Sequence, residues 1–178
     1  MASAVRSVLA ALMLCFLVAP ASAQGGALDW LAGNWRGAGT MMGNASEARL
    51  EVRPALGGRF LEFSYRAGPF EGRAFYSPVA EGRWQARWFD NRGVSFPIAA
   101  TLAGQQLTAE WGDAATERGR TVYRRAEDGR LHLTDSVLRP DGSYRDFASH
   151  ILTRADYWWN KLPKRFTSGG VCGHTPRP

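Results

Sequence analysis

From residue 33 onward the chain alternates. In Arg83-Trp84-Gln85-Ala86-Arg87-Trp88, the apolar residues Trp84, Ala86 and Trp88 take every second position. Leu107, Ala109 and Trp111 alternate in the same way, as do Leu131, Leu133, Asp135 and Val137. A period of two is that of an extended strand with one face buried and the other in water. Between the alternating runs stand turn formers: Met42-Gly43-Asn44, Leu56-Gly57-Gly58, Glu81-Gly82, Asp90-Asn91-Arg92-Gly93, Ala103-Gly104, Gly112-Asp113, Glu127-Asp128-Gly129 and Pro140-Asp141-Gly142. Gly, Asn and Asp supply the positive φ that tight hairpins need.

The pattern predicts strands at 33–41, 46–54, 59–67, 70–77, 82–90, 94–102, 105–111, 117–125, 130–138 and 143–154. Connections this short join antiparallel neighbours in chain order. A meander of about ten strands in one small domain is expected to close on itself, because closure removes exposed edges. The fold class is therefore all-β, an antiparallel up-and-down β-barrel of about ten strands. The stretch 28–37, Leu-Asp-Trp-Leu-Ala-Gly-Asn-Trp-Arg-Gly, reads as a short N-terminal helical plug running into the first strand.

The first 23 residues follow a different rule. Arg6 precedes an apolar run from Val8 to Val18, Pro20 breaks it, and Ala21-Ser22-Ala23 follows. A charged start, a short apolar middle and a small-residue end form a secretory signal. The run is shorter than the ~20 residues needed to span a bilayer, so no membrane span is expected. The division is then 1–23 signal peptide, cleaved near Ala23/Gln24, 24–155 barrel, and 156–178 an aromatic and basic tail, partly disordered. The location expected is periplasmic or secreted. Without the signal, Cys172 is the sole cysteine, so no intramolecular disulfide forms.

The net charge of +6 is spread unevenly: 17 Arg face 15 acids over 24–154, and the rest of the excess lies mainly in the tail. No separate basic face with interleaved aromatics emerges, so nucleic acid is not an expected partner. Cys172 and His174 are two metal-type side chains, short of the four of a structural zinc site; no metal is expected. There is no G-x-S-x-G, P-loop, H-E-x-x-H or dinucleotide fingerprint. The pattern assigns no oligomeric state.

Gly33-x-Trp35 at the start of the first strand, with Arg154 ending the last, resembles the opening motif and closing arginine of lipocalins and related calycin barrels. The resemblance implies that the Arg154 guanidinium stacks on the Trp35 indole and donates to carbonyls of the plugging turn, making Gly33, Trp35 and Arg154 structural. The longer text, LAGNWRGAGT early and ERGRTVY, DSV and LTR late, looks like a group of secreted bacterial lipocalin-like proteins of unassigned function, over roughly 27–155. Trp35-Arg36-Gly37 is also similar to the W-x-G segment of nitrobindin-type haem-binding barrels. That likeness implies His150 as an axial ligand and haem as cofactor, in a protein handling nitrogen oxides or peroxide. The spacing from His150 to the strand end is shorter than in that family, and its apolar His motif is absent.

The candidate ligand-binding residues are Tyr65, Tyr76, Trp84, Trp88, Trp111, Tyr123, Asp135 and His150. The aromatics either line a pocket or fill the barrel, and together they favour a flat or apolar ligand. His150 shares a strand face with Arg154, as a ligand or a hydrogen-bonded interior histidine; His132 is expected outside. Asp135 shares a face with Leu131, Leu133 and Val137, so it needs a partner, and an inward Arg is the natural one. Leu61, Phe63 and Tyr65 form the inward set of their strand, placing Glu62 outside. The first expectation is a barrel taking a small hydrophobic or aromatic molecule, with no resident cofactor. The alternatives are the haem protein, a cofactor-free enzyme using Asp135 with an inward Arg or Tyr as acid and base, and a filled structural barrel.

Overall fold

The computed structural model describes residues 26–155. The signal segment 1–23, its cleavage point and the tail 156–178, with Cys172 and His174, lie outside the described residues. A 3-10 turn at Gly26–Leu28 leads into ten strands: β1 (Gly33–Met41), β2 (Asn44–Ala55), β3 (Phe60–Ala67), β4 (Phe70–Ala80), β5 (Arg83–Asp90), β6 (Ser95–Ala103), β7 (Gln106–Trp111), β8 (Gly119–Arg125), β9 (Leu131–Leu138) and β10 (Tyr144–Arg154). Each pairs antiparallel with its neighbours in sequence, and β1 pairs with β10 to close the barrel. The strand bounds agree with those read from the alternation to within three residues. The largest difference is β4, which continues past Pro78. A register shift between Pro78 and Ala80 accommodates the missing N–H, so the proline sits at an irregularity rather than ending the strand.

The seam between β1 and β10 explains the Gly-x-Trp motif atom by atom. Trp35 lies opposite Arg154 in the register, and its ring is 1% exposed. The Arg154 guanidinium carbon stands 4.7 Å from the Trp35 ring centroid. The same guanidinium donates to the carbonyls of Ala32 (2.8 Å) and Trp30 (3.1 Å), and Trp35 Nε1 donates to the Leu31 carbonyl (2.8 Å). These are carbonyls of the turn region that no strand partner satisfies. Gly33 has φ +124, and a Cβ there would lie 2.6 Å from Arg154 Nη1. A side chain would be both strained and in the way. Leu28 and Leu31 are fully buried in the core beside this cluster, at the end of the barrel where β1 starts and β10 ends.

That half of the interior is filled. Phe63 packs against Tyr76 (4.3 Å between centroids) and edge-on against Tyr123 (5.6 Å), with Leu50, Leu107, Leu131 and Leu152 completing the layer. On the outside, Glu62 lies where the alternation placed it, but it is covered. Arg53 and Arg73, from the neighbouring strands, reach its carboxylate at 2.9 and 3.3 Å. The aliphatic stems of two arginines and a doubly paired carboxylate explain how an outward acid becomes buried. His132 also faces outward, 3.4 Å from Arg124.

Candidate functional site

The other half is hollow. A cavity of about 240 Å³ opens at the end formed by the β1–β2, β3–β4, β5–β6, β7–β8 and β9–β10 connections. Of the eight candidate ligand-binding residues, Tyr65, Tyr76, Trp88, Trp111, Tyr123 and Asp135 line it. Trp84 and His150 do not. Trp84 shares the inward face of β5 with Trp88 but sits four residues nearer the filled end, where it is buried in the core. Parity along a strand tells in from out; it does not tell height along the barrel axis.

His150 points inward from β10, as expected, yet Tyr65 stands beside it. The Tyr65 hydroxyl and His150 Nδ1 are 3.3 Å apart, and the rings meet edge to face. His150 Nε2 is buried with no hydrogen-bond partner among the described residues. Burial pushes the imidazole pKa below its ordinary value, so the ring is neutral. An axial ligand must present a ring nitrogen to the space holding the haem. His150 does not line this cavity, so these residues do not fit that role. Among the described residues there is also no group of three or more His, Cys, Asp or Glu arranged to hold a metal ion.

Two tryptophans form walls, each laid over a glycine of the adjoining strand. A Cβ on Gly72 of β4 would run into the Trp88 indole, and one on Gly119 of β8 would run into that of Trp111. Trp88 is further fixed by its Nε1, which donates to Asp90 (3.1 Å), and by Phe70, stacked 6.1 Å away at 19°. Trp111 lies against Phe96 (5.4 Å) and edge-on to Phe147 (6.5 Å). Phe147 was not a candidate, because alternation on β10 puts Ala148 and His150 inside. A register shift between Asp146 and Ala148 turns the ring of Phe147 toward the cavity as well. The glycines carried a readable signal: a Gly within a strand marks a close approach. Phe147 carried none, because a bulge is a property of the pairing.

Asp135 is the acid set among these rings. It is 9% exposed, and the expected arginine is not its partner. Thr121, its cross-strand neighbour on β8, donates to Oδ1 at 2.6 Å, and none of the ion pairs among the described residues includes Asp135. Burial pushes the carboxyl pKa up to about 6, against the opposing effect of the Thr121 hydroxyl. Tyr65, Tyr76 and Tyr123 surround it. Their hydroxyls are held well above the ordinary phenol range, first by burial and then by neighbouring groups including the Asp135 charge. All three remain neutral hydrogen-bonding groups. The mouth carries Arg92, Glu117 and Arg145. Arg92 is tied to Asp90 (2.8 Å) and lies over the Phe70 ring (5.4 Å).

The arrangement is a blind, aromatic-walled cup with a few polar atoms near its floor and charges at its rim. Such a cup encloses an apolar or aromatic group and orients it by one polar contact. A scan against protein-family models found no match, and no curated protein matched the sequence.

Proposed function

We propose that this chain is an exported, lipocalin-like barrel of the calycin kind that carries a small hydrophobic or aromatic molecule in the open half of its interior. Residues 1–23 act as a signal peptide, and the mature protein works in the periplasm or outside the cell. The observation that carries the reading is the cavity itself. Two tryptophans held rigidly over glycines keep an apolar space open in a barrel whose other half is packed solid. Rigid aromatic walls lose little freedom when a ligand arrives, so the apolar area buried is not offset by ordering. The cluster of Gly33, Trp35 and Arg154 supports the lipocalin-like assignment, because each residue has the role that the resemblance implies.

The test is native mass spectrometry of the mature protein purified from the compartment it occupies. The expected result is a protein starting near Gln24 with extra mass that leaves on denaturation. A bare mass, together with no change in tryptophan fluorescence on adding small aromatic compounds to millimolar concentration, would overturn the binding reading. A mature protein that retains Met1 would overturn export.

A further inference from the structure

We infer that the cavity is built for an arylalkylamine, a molecule of one or two rings whose ammonium group meets the Asp135 carboxylate while its ring lies between the aromatic walls. This deepens the binding reading above and rests on it.

The first ground is the state of Asp135. Its carboxylate is buried, lines the cavity and receives one hydrogen bond, from Thr121. A carboxylate in such surroundings calls for a cation or further donors. The structure offers neither an arginine nor a lysine within ion-pair distance among the described residues. A ligand ammonium supplies the missing charge and donors together. A ligand carboxylate or phosphate would add like charge to a low-dielectric space.

The second ground is the walls. Tyr65, Phe70, Trp88 and Trp111 present aromatic surface to the same space. Ring faces carry negative quadrupole density, which attracts a cation and tolerates an aryl group equally well. The third ground is size. A cavity of about 150 Å³ accepts benzene, so about 240 Å³ holds a one- or two-ring molecule of roughly ten heavy atoms.

The other ionisable groups around Asp135 leave its charge in control. Tyr65 from β3, Tyr76 from β4 and Tyr123 from β8 stay protonated across the accessible pH range. His150 of β10 does not line the cavity, and burial holds its imidazole pKa below the ordinary value. Arg145 of β10, Arg92 of the β5–β6 connection and Glu117 of the β7–β8 connection lie toward the mouth, where water screens them. An alkylammonium keeps its proton to about pH 10. Amine binding is therefore expected to weaken as pH falls through the titration of Asp135.

The experiment is calorimetric titration of the full mature protein with three probes of nearly equal size: phenethylamine, phenethyl alcohol and phenylacetate. The expected result at neutral pH is phenethylamine binding about tenfold or more tighter than the alcohol, with phenylacetate weakest. The ratio of amine to alcohol affinity should collapse toward one in Asp135→Asn. It should also shrink in the unmutated protein between about pH 8 and about pH 5, which needs no substitution and so does not depend on the variant folding. Alcohol binding as tight as the amine, or a preference that ignores pH and Asp135→Asn, would overturn the amine assignment and leave the binding cup standing. No binding of any probe at millimolar concentration would overturn both.

Discussion

Asp135, inside the barrel, and Arg154, at one end of it, illustrate two fates of a charged residue on an inward strand face. Arg154 reaches the barrel end, stacks on Trp35 and donates to the Ala32 and Trp30 carbonyls. Arg154→Ala removes the stacking and leaves those carbonyls without their donor. The expected loss is about 1–3 kcal/mol in urea denaturation, and an unchanged midpoint would count against this account of closure. Asp135 stays inside, held by a hydroxyl rather than a guanidinium. An acid whose folded pKa is raised, here to about 6, stabilises the fold relative to its ionised form only at low pH. The penalty for ionising it develops as pH rises from about 4 through about 6 and is complete above that. Asp135→Asn should therefore raise the stability of the ligand-free protein at pH 7 by roughly 2–3 kcal/mol, with the gain fading by about pH 4. Denaturant titrations at both pH values check this; an equal effect at the two would show that burial does not oppose ionisation. Parity read from the sequence was enough to turn both residues inward. It could not name Thr121 as the partner, because cross-strand register between β8 and β9 is not written in either strand alone.

At the scale of the strand pair, the pocket depends on tryptophan lying across glycine. Gly72 and Gly119 are each adjacent to a wall indole, and the two sites differ in what else is near. A Cβ on Gly72 meets the Trp88 ring first, whereas one on Gly119 meets both Trp111 and the Ser136 carbonyl. Side chains move aside more easily than backbone. Gly72→Ala is expected to cost about 1–3 kcal/mol while shifting Trp88, and Gly119→Ala more, since strand β9 must yield as well. Thermal unfolding ranks the two, and near-ultraviolet circular dichroism follows the indole displacement. A neutral Gly119→Ala would mean that β8 and β9 are farther apart than described. Ten strand spans and eight of the nine turns between them were legible from alternation and turn formers; the turn between β3 and β4 was not among those named. The bulge at Phe147 was not, because it exists only in how β10 meets β9.

At the scale of the whole barrel, closure is complete between Gly33 and Arg154, since β1 pairs with β10 from Trp35–Arg154 to Met41–Ala148. A protein ending at Ala155 should therefore unfold in one cooperative transition with a midpoint close to that of the longer chain. Loss of cooperativity on removing 156–178 would show that those residues belong to the folded unit. Closure also divides the interior. One end is packed by Phe63, Leu107, Leu131 and the turn leucines, and the other is left open behind two fixed indoles. That division is why Trp84 and Trp88, on one face of one strand, have different fates.

The sequence by itself determined which side of β3, β5, β7, β9 and β10 is inside, because hydrophobic burial acts residue by residue with a period of two. It marked most of the turns, because their positive φ falls mainly on Gly; Met42 and Leu56, the two non-glycine residues that also take it among the described residues, carried no such signal. The resemblance to the opening motif and closing arginine of lipocalins marked the Gly33, Trp35 and Arg154 seam, and the structure gives each residue the contact that the resemblance implies. Only the tertiary structure decided how high along the axis each inward residue stands, which ones meet across the ring, and where packing stops. Those quantities depend on register, bulges and closure, which arise from pairing between segments distant in the chain. The tertiary structure thereby separates Trp84 and His150 from the cavity, brings in Thr121 and Phe147, and leaves Asp135 in an aromatic cup without a basic partner among the described residues.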